Sequence, residues 1–118
     1  MKILICGSRD WWSVDTVMKR LSVLPKSTII IEGEARGADT IARQCAEKLG
    51  MMVIKMPADW TKYGKAAGPI RNRQMLDIKP DKILAFHDNI AESKGTKDCV
   101  TEARKRGIPV EVITGPTL

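Results

Sequence analysis

The stretch Glu32 to Asp39, EGEARGAD, places two glycines four apart, with a carboxylate on either side of the first and an aspartate two beyond the second. It follows three isoleucines and runs into an amphipathic segment, so it suits either a tight turn or a cradle for a ligand. At a strand-to-helix turn, glycine lets backbone amides approach a phosphate with no β-carbon between them. The helix that follows adds unpaired N–H groups and a positive dipole end. Gly33, Ala35 and Gly37 fit that chemistry. Asp39 has two readings, as a cap on the next helix or as an acceptor for ribose hydroxyls.

Three other turns share this character. Gly7-Ser8-Arg9-Asp10 is glycine-led and carries a hydroxyl and a guanidinium. Ser93-Lys94-Gly95-Thr96 offers two hydroxyls at a helix start, as a phosphate nest or as a simple N-cap. Arg71, Asn72 and Arg73 follow Gly68-Pro69 and are expected in the first turn of a helix, where the dipole is already positive. Cations there are unfavourable unless an anion compensates, and guanidinium forks suit phosphate. The alternative is surface arginines paired to carboxylates elsewhere. Trp60, like Trp11 and Trp12, falls in or beside these turns and has the options of stacking on a base or packing under a loop. His87 has no evident nucleophile or ligand partner in the sequence and reads as a satisfied or exposed histidine.

Elements that would position these turns can be read from periodicity. Lys2 to Cys6, Thr28 to Glu32, Met51 to Met56, Lys82 to Phe86 and Val110 to Ile113 are short β-rich runs. Between them, Val14, Val17, Met18 and Leu21, and then Ile41, Ala42, Cys45, Ala46 and Leu49, recur at helical spacing. A third helix is expected from Pro69, after a loop from Pro57 to Gly68, and a fourth from Lys97 to Arg106. Strands alternating with helices imply an α/β fold, a single Rossmann-like three-layer domain over residues 1–118. Its parallel sheet would have about five strands and helices on both faces. Ligands of such sheets collect at the carboxyl ends of the strands, which is where all four turns fall.

A chain of 118 residues can bury one core. Its formal charge of +6 comes from twenty Lys and Arg spread along it, a field that suits a small anion as well as nucleic acid. Cys6, Cys45 and Cys99 are odd in number and show no C-x-x-C or Cys/His spacing, so neither disulfide nor metal site is expected. Cys45 and Cys99 read as core thiols, and Met18, Met52 and Met56 as core filling. No run approaches the ~20 apolar residues of a membrane helix, and no secretory h-region follows Met1. These features lead to expectations of a cytoplasmic location, no membrane partner and no required cofactor.

Taken in order, the turns resemble the YspA-type branch of the SLOG superfamily, the group that includes the DNA-processing protein A and Lonely Guy families. The resemblance is carried by ICGSRDW at 5 to 11, EGEARGADTIA at 32 to 42, PADWTKYGKAAGPIRNRQML at 57 to 76 and SKGTKDCVTEARKRGIPV at 93 to 110. It implies a Rossmann-like fold with a nucleotide pocket, and a homo-oligomer whose interface no residue pattern specifies. Gly7, Ser8 and Arg9 match the G-S-R turn of the DNA-processing relatives. Gly33, Ala35, Gly37 and Asp39 match their G-x-A-x-G-x-D turn, and Arg71, Asn72 and Arg73 their R-N-R. Gly95 and Thr96 match the G-T of the phosphoribohydrolase motif P-G-G-x-G-T-x-x-E. Ala91, Glu92 and Ser93 replace its Pro-Gly-Gly, and Cys99 stands where the catalytic Glu belongs.

A thiol cannot supply the carboxylate that stabilises a glycosidic transition state, which leaves Glu34, Asp98 and Glu102 as candidate acids. The leading reading is therefore a module that senses or sequesters a nucleotide or nucleotide-derived ligand, such as an ADP-ribose-like molecule. A nucleoside-monophosphate phosphoribohydrolase or related nucleotide hydrolase is the alternative. Single-stranded nucleic-acid binding through the basic edge is the third.

Overall fold

The structure, a computed structural model, describes residues 1 to 116. Strands β1 (Lys2–Gly7), β2 (Ile29–Glu32), β3 (Met52–Lys55), β4 (Lys82–Phe86) and β5 (Val110–Ile113) form one parallel sheet in the order β3-β2-β1-β4-β5. The helices are α1 (Val14–Ser22), α2 (Ala38–Lys48), α3 (Trp60–Tyr63), α4 (Ala67–Asp77) and α5 (Gly95–Lys105). Among the described residues no helix is long and apolar enough to cross a membrane.

Alternate side chains of a strand point to opposite faces, and this divides the core in two. Ile3 and Ile5 of β1 join Ile30, Leu84 and Phe86 beneath α1 and α2. Leu4 and Cys6 join Ile31, Ile83 and Ala85 beneath α4 and α5. Full burial of each such aliphatic side chain contributes roughly 1.5–3 kcal/mol, so the central strands anchor the three layers. Edge strands β3 and β5 are only partly buried. Met52, expected in the core, is 65% exposed on β3 because an edge strand has only one covered flank. At the other edge, Glu111 of β5 is held by Arg20 Nε at 2.7 Å and Lys82 Nζ at 2.8 Å, and these hydrogen bonds, Arg20's first, pull its carboxyl down to about 2.

The segment between β3 and α4 departs from expectation. It is not a plain loop: Asp59 accepts the Lys62 N–H at 3.0 Å and starts the short α3, and a 3₁₀ turn over Gly64–Ala66 leads into α4. Helix α4 opens at Ala67, so Pro69 is its third residue, still within the turn where a missing N–H costs nothing. Arg71 and Arg73 therefore lie in the second turn, beyond the strongest part of the helix dipole, and the electrostatic argument from a first-turn placement does not apply to them. Helix α5 likewise opens at Gly95 rather than Lys97.

From β1 the chain winds outward to β3 and then returns to β4 on the other side, so winding reverses between β1 and β4. Gly7 pairs in register with Phe86 and brings the two strand ends level. One peptide then joins the loops. The Ser8 N–H donates to the Phe86 carbonyl at 2.9 Å, and the Ser8 carbonyl accepts from Ala38 N at 3.0 Å and Trp11 N at 3.2 Å. Trp11 is buried, with its ring edge-on to Phe86 at 5.5 Å. Gly37 has φ 76°, and a β-carbon there would meet the carbonyls of Ser8 and Arg9.

Gly37→Ala should thus lower the unfolding free energy by roughly 2–4 kcal/mol, combining left-handed strain with overpacking. Gly50→Ala, at φ 75° in open space, should cost only about 1 kcal/mol, the strain alone. Equal costs in urea denaturation would show that the loop junction does not constrain position 37.

Candidate functional site

Two adjoining cavities open at the carboxyl edge of the sheet. The first, about 420 Å³, lies where β1 and β4 end. Gly7, Ser8 and Arg9 wall it on one side and Ser93, Gly95 and Thr96 on the other, with Arg71, Asn72, Ala35 and Asp39 between. The second, about 460 Å³, is lined by Gly33, Glu34 and Arg36 of the second turn and by Pro57, Ala58 and Trp60 before α4. Arg9, Ala35 and Arg71 line both.

Arg71 is the best positioned cation at this edge. Its guanidinium lies on Gly33, where a β-carbon would run into it, and donates to the Gly33 carbonyl at 2.5 Å. Its Nε donates to Asn72 Oδ1 at 3.1 Å. A guanidinium has five N–H groups, so three remain for an anion. Gly33 is thus needed to seat an arginine as well as to bare a backbone. Asn72, 4% exposed, is fully used: its amide donates to the Gly95 carbonyl at 3.3 Å and to Asp98 Oδ2 at 3.1 Å. It positions Arg71 and the start of α5.

Arg73 and Gly37 line neither cavity. Arg73 instead pairs with Asp98 at 3.2 Å and Glu102 at 3.6 Å, and Arg106 ties Glu102 to Asp77. These pairs clamp α4 against α5, and Asp98 and Glu102 line neither cavity. Of the three candidate acids, only Glu34 reaches one. Cys99, at the position of the motif's glutamate, is completely buried. A hydrogen bond with Cys99, and then burial, push the Cys6 thiol well up, which leaves it protonated at the cavity floor.

Asp39 does not cap α2, and it lines the first cavity. Its Oδ2 accepts from Gly33 N at 3.1 Å and Ala35 N at 3.4 Å and so closes the turn on itself. Burial lifts its carboxyl to about 6, against the pull of those N–H groups and of Arg71. Ser93 accepts the Thr96 N–H at 3.1 Å, the local cap foreseen as one of its two readings, while still lining the cavity. His87, Lys94 and Asp10 also line it, although periodicity gave none of them a role. His87 Nδ1 accepts from Asn89 N at 2.9 Å.

Sequence reasoning missed Glu32. It is fully buried at the end of β2, its Oε1 has no hydrogen-bond partner, and its Oε2 accepts from Glu34 N. Burial first, and then the neighbouring Glu34 side chain, raise its carboxyl to about 8. Glu34 is held below the usual range first by its neighbour Glu32, and also by the charges of Arg43 and Lys55. The buried member of the pair therefore keeps the proton and the exposed one carries the charge. A glutamate closing an apolar β-run, with a second two residues on, was the signal available in the sequence.

Comparison with known proteins bears on the whole arrangement. The model of the YspA, cpYpsA-related SLOG family matches residues 1–63, which include the first two turns. The Gene 61 protein of Mycobacterium phage D29 is 38% identical, with 92% of this chain and 93% of that protein covered. The X-ray structure of DNA processing protein A from Streptococcus pneumoniae superposes with a TM-score of 0.81 at 22% identity, over 99% of this chain and 51% of that one. The chain thus spans about half the length of that protein, with the same Rossmann-like fold.

Glu32 gives the fold a pH dependence whose sign follows from its environment. The folded chain keeps this proton up to about pH 8, whereas a free glutamate releases it near 4.5, so stability falls as pH rises through that window. Asp39 acts in the same direction between about 3.8 and 6. The melting temperature should drop by several degrees from pH 5 to 8.5, and Glu32→Gln should remove most of the drop above pH 6. An equally steep profile in the variant would exclude Glu32 as its source.

Proposed function

Because this chain belongs to the YspA, cpYpsA-related SLOG family, we propose that the cavity at the ends of β1 and β4 binds a phosphate-bearing nucleotide or nucleotide derivative, and that the protein senses or sequesters it. The observation that carries this reading is the seating of Arg71. Its guanidinium is fixed by Gly33 and Asn72, keeps three N–H groups free, and shares a cavity with Arg9 and Lys94. Arg9 has no hydrogen bond or ion pair among the described residues. Fixed donors that need no reordering on binding are what a tight anion site requires. Around them, the Ser93 and Thr96 hydroxyls and the start of α5 supply further polar contacts.

A second reading rests on Glu34, an ionised carboxylate lining the neighbouring chamber. There it is the residue able to stabilise a cation-like glycosidic transition state, as a nucleotide hydrolase requires. Release of free base from nucleoside monophosphates, lost in Glu34→Gln and retained in Glu102→Gln, would establish turnover. Single-stranded nucleic acid is a weaker fit, since it calls for a longer basic track and would show affinity falling steeply with salt.

In a thermal-shift panel of nucleotides, a ligand at about a hundredfold its dissociation constant should add roughly 2.7 kcal/mol of stability. Arg71→Ala should weaken its binding roughly ten- to a hundredfold, whereas Arg73→Ala, outside both cavities, should leave the affinity unchanged. Binding that survives Arg71→Ala intact would remove the basis for this assignment.

A further inference from the structure

Resting on that nucleotide-binding reading, we infer that the chamber around Trp60 is a second subsite, built for a nucleoside joined through phosphate to the part of the ligand held between β1 and β4. The two cavities are nearly equal, about 420 and 460 Å³, each at the lower end of the ~300–1,000 Å³ typical of small-ligand sites. They meet at Arg71, Arg9 and Ala35, so a ligand that reaches from one to the other passes the anchored guanidinium. A phosphate link is the natural occupant of that junction.

The linings on the two sides differ in kind. The first cavity adds Lys94, the hydroxyls of Ser8, Ser93 and Thr96, and the carboxyls of Asp10 and Asp39 to the shared arginines. The second adds the Trp60 ring, Pro57, Ala58 and the Glu34 carboxylate. Glu34 is held below the usual carboxylate range, first by its neighbour Glu32, and Arg43 Nε lies at 2.9 Å from its carboxylate. Such a group repels a further phosphate but accepts from sugar hydroxyls or an exocyclic amine. Arg36 also lines this chamber, but it is 76% exposed and leans 3.7 Å from Asp10. A neutral, aromatic, donor-rich moiety fits this chamber, and a nucleoside has all three properties.

Trp60 is prepared for stacking without being buried by its own fold. Its ring rests over Gly68, whose added β-carbon would lie 3.4 Å from the indole, and Asp59 caps the short helix that carries it. The ring nevertheless stays 51% exposed. A continuing nucleic-acid strand would bring its next phosphate towards Glu34, so the chamber favours a ligand that ends there.

Calorimetric titrations with inorganic pyrophosphate, with a pyrophosphate-linked diadenosine and with a single-stranded hexanucleotide separate the cases. Trp60→Ala should weaken the diadenosine compound roughly five- to a hundredfold, leave pyrophosphate unchanged, and be largely rescued by Trp60→Phe. An unchanged diadenosine affinity in Trp60→Ala overturns the subsite while leaving the nucleotide reading in place. Equal loss for both probes, with no rescue by phenylalanine, also overturns it, as does tighter binding of the hexanucleotide. Failure of every probe to bind the wild-type chain overturns both readings.

Discussion

The carboxyl edge of the sheet depends on the hydrogen bonds of the Ser8 peptide. Its N–H ends on the last residue of β4, and its carbonyl receives the first N–H of α2 together with that of Trp11. Each such bond contributes only about 1 kcal/mol net, but a carbonyl stripped of its donors in this packed junction would cost more. The turns after β1 and β2 and the end of β4 consequently form one body. Gly7 and Gly37 follow from that constraint, since a side chain at either would separate strands or loops that must touch.

On this frame the charges are sorted by helix geometry. Arg71 and Arg73 are two residues apart on α4, roughly 200° around its axis. One lies over the second turn at the cavities, and the other turns to α5 and its carboxylates. Asn72, between them, bonds to both sides and couples the seated arginine to the start of α5. The acids are sorted too: Glu32 and Asp39 are buried and raised, while Glu34 at the surface carries the formal charge. The charge pattern at the edge therefore depends on which acids are buried as well as on where the arginines lie.

Most elements were legible in the primary structure. All five strands follow from short β-rich runs, and in the three central ones burial on both faces demands apolar continuity. Helix ends and the segment before α4 were less so. In α3 the start depends on one Asp59 cap, and the opening of α4 at Ala67 carries no strong local signal. Of the candidate ligand residues, ten line the first cavity, Gly33 and Trp60 line the second, and Gly37 and Arg73 line neither. Residue type alone did not distinguish an arginine seated for an anion from one locked in a helix clamp.

What the amino-acid order determined by itself is the alternation of strands and helices and the gathering of glycine, hydroxyl and guanidinium groups in the turns. Both are local properties, set by periodicity and turn chemistry within a few residues. Only the tertiary structure decided the winding reversal at β1 and β4, the use of Gly33 as a seat for Arg71, the proton held by buried Glu32 and the division of the edge into two chambers. Each of these depends on groups distant in sequence meeting where water is excluded, and local sequence does not encode that meeting.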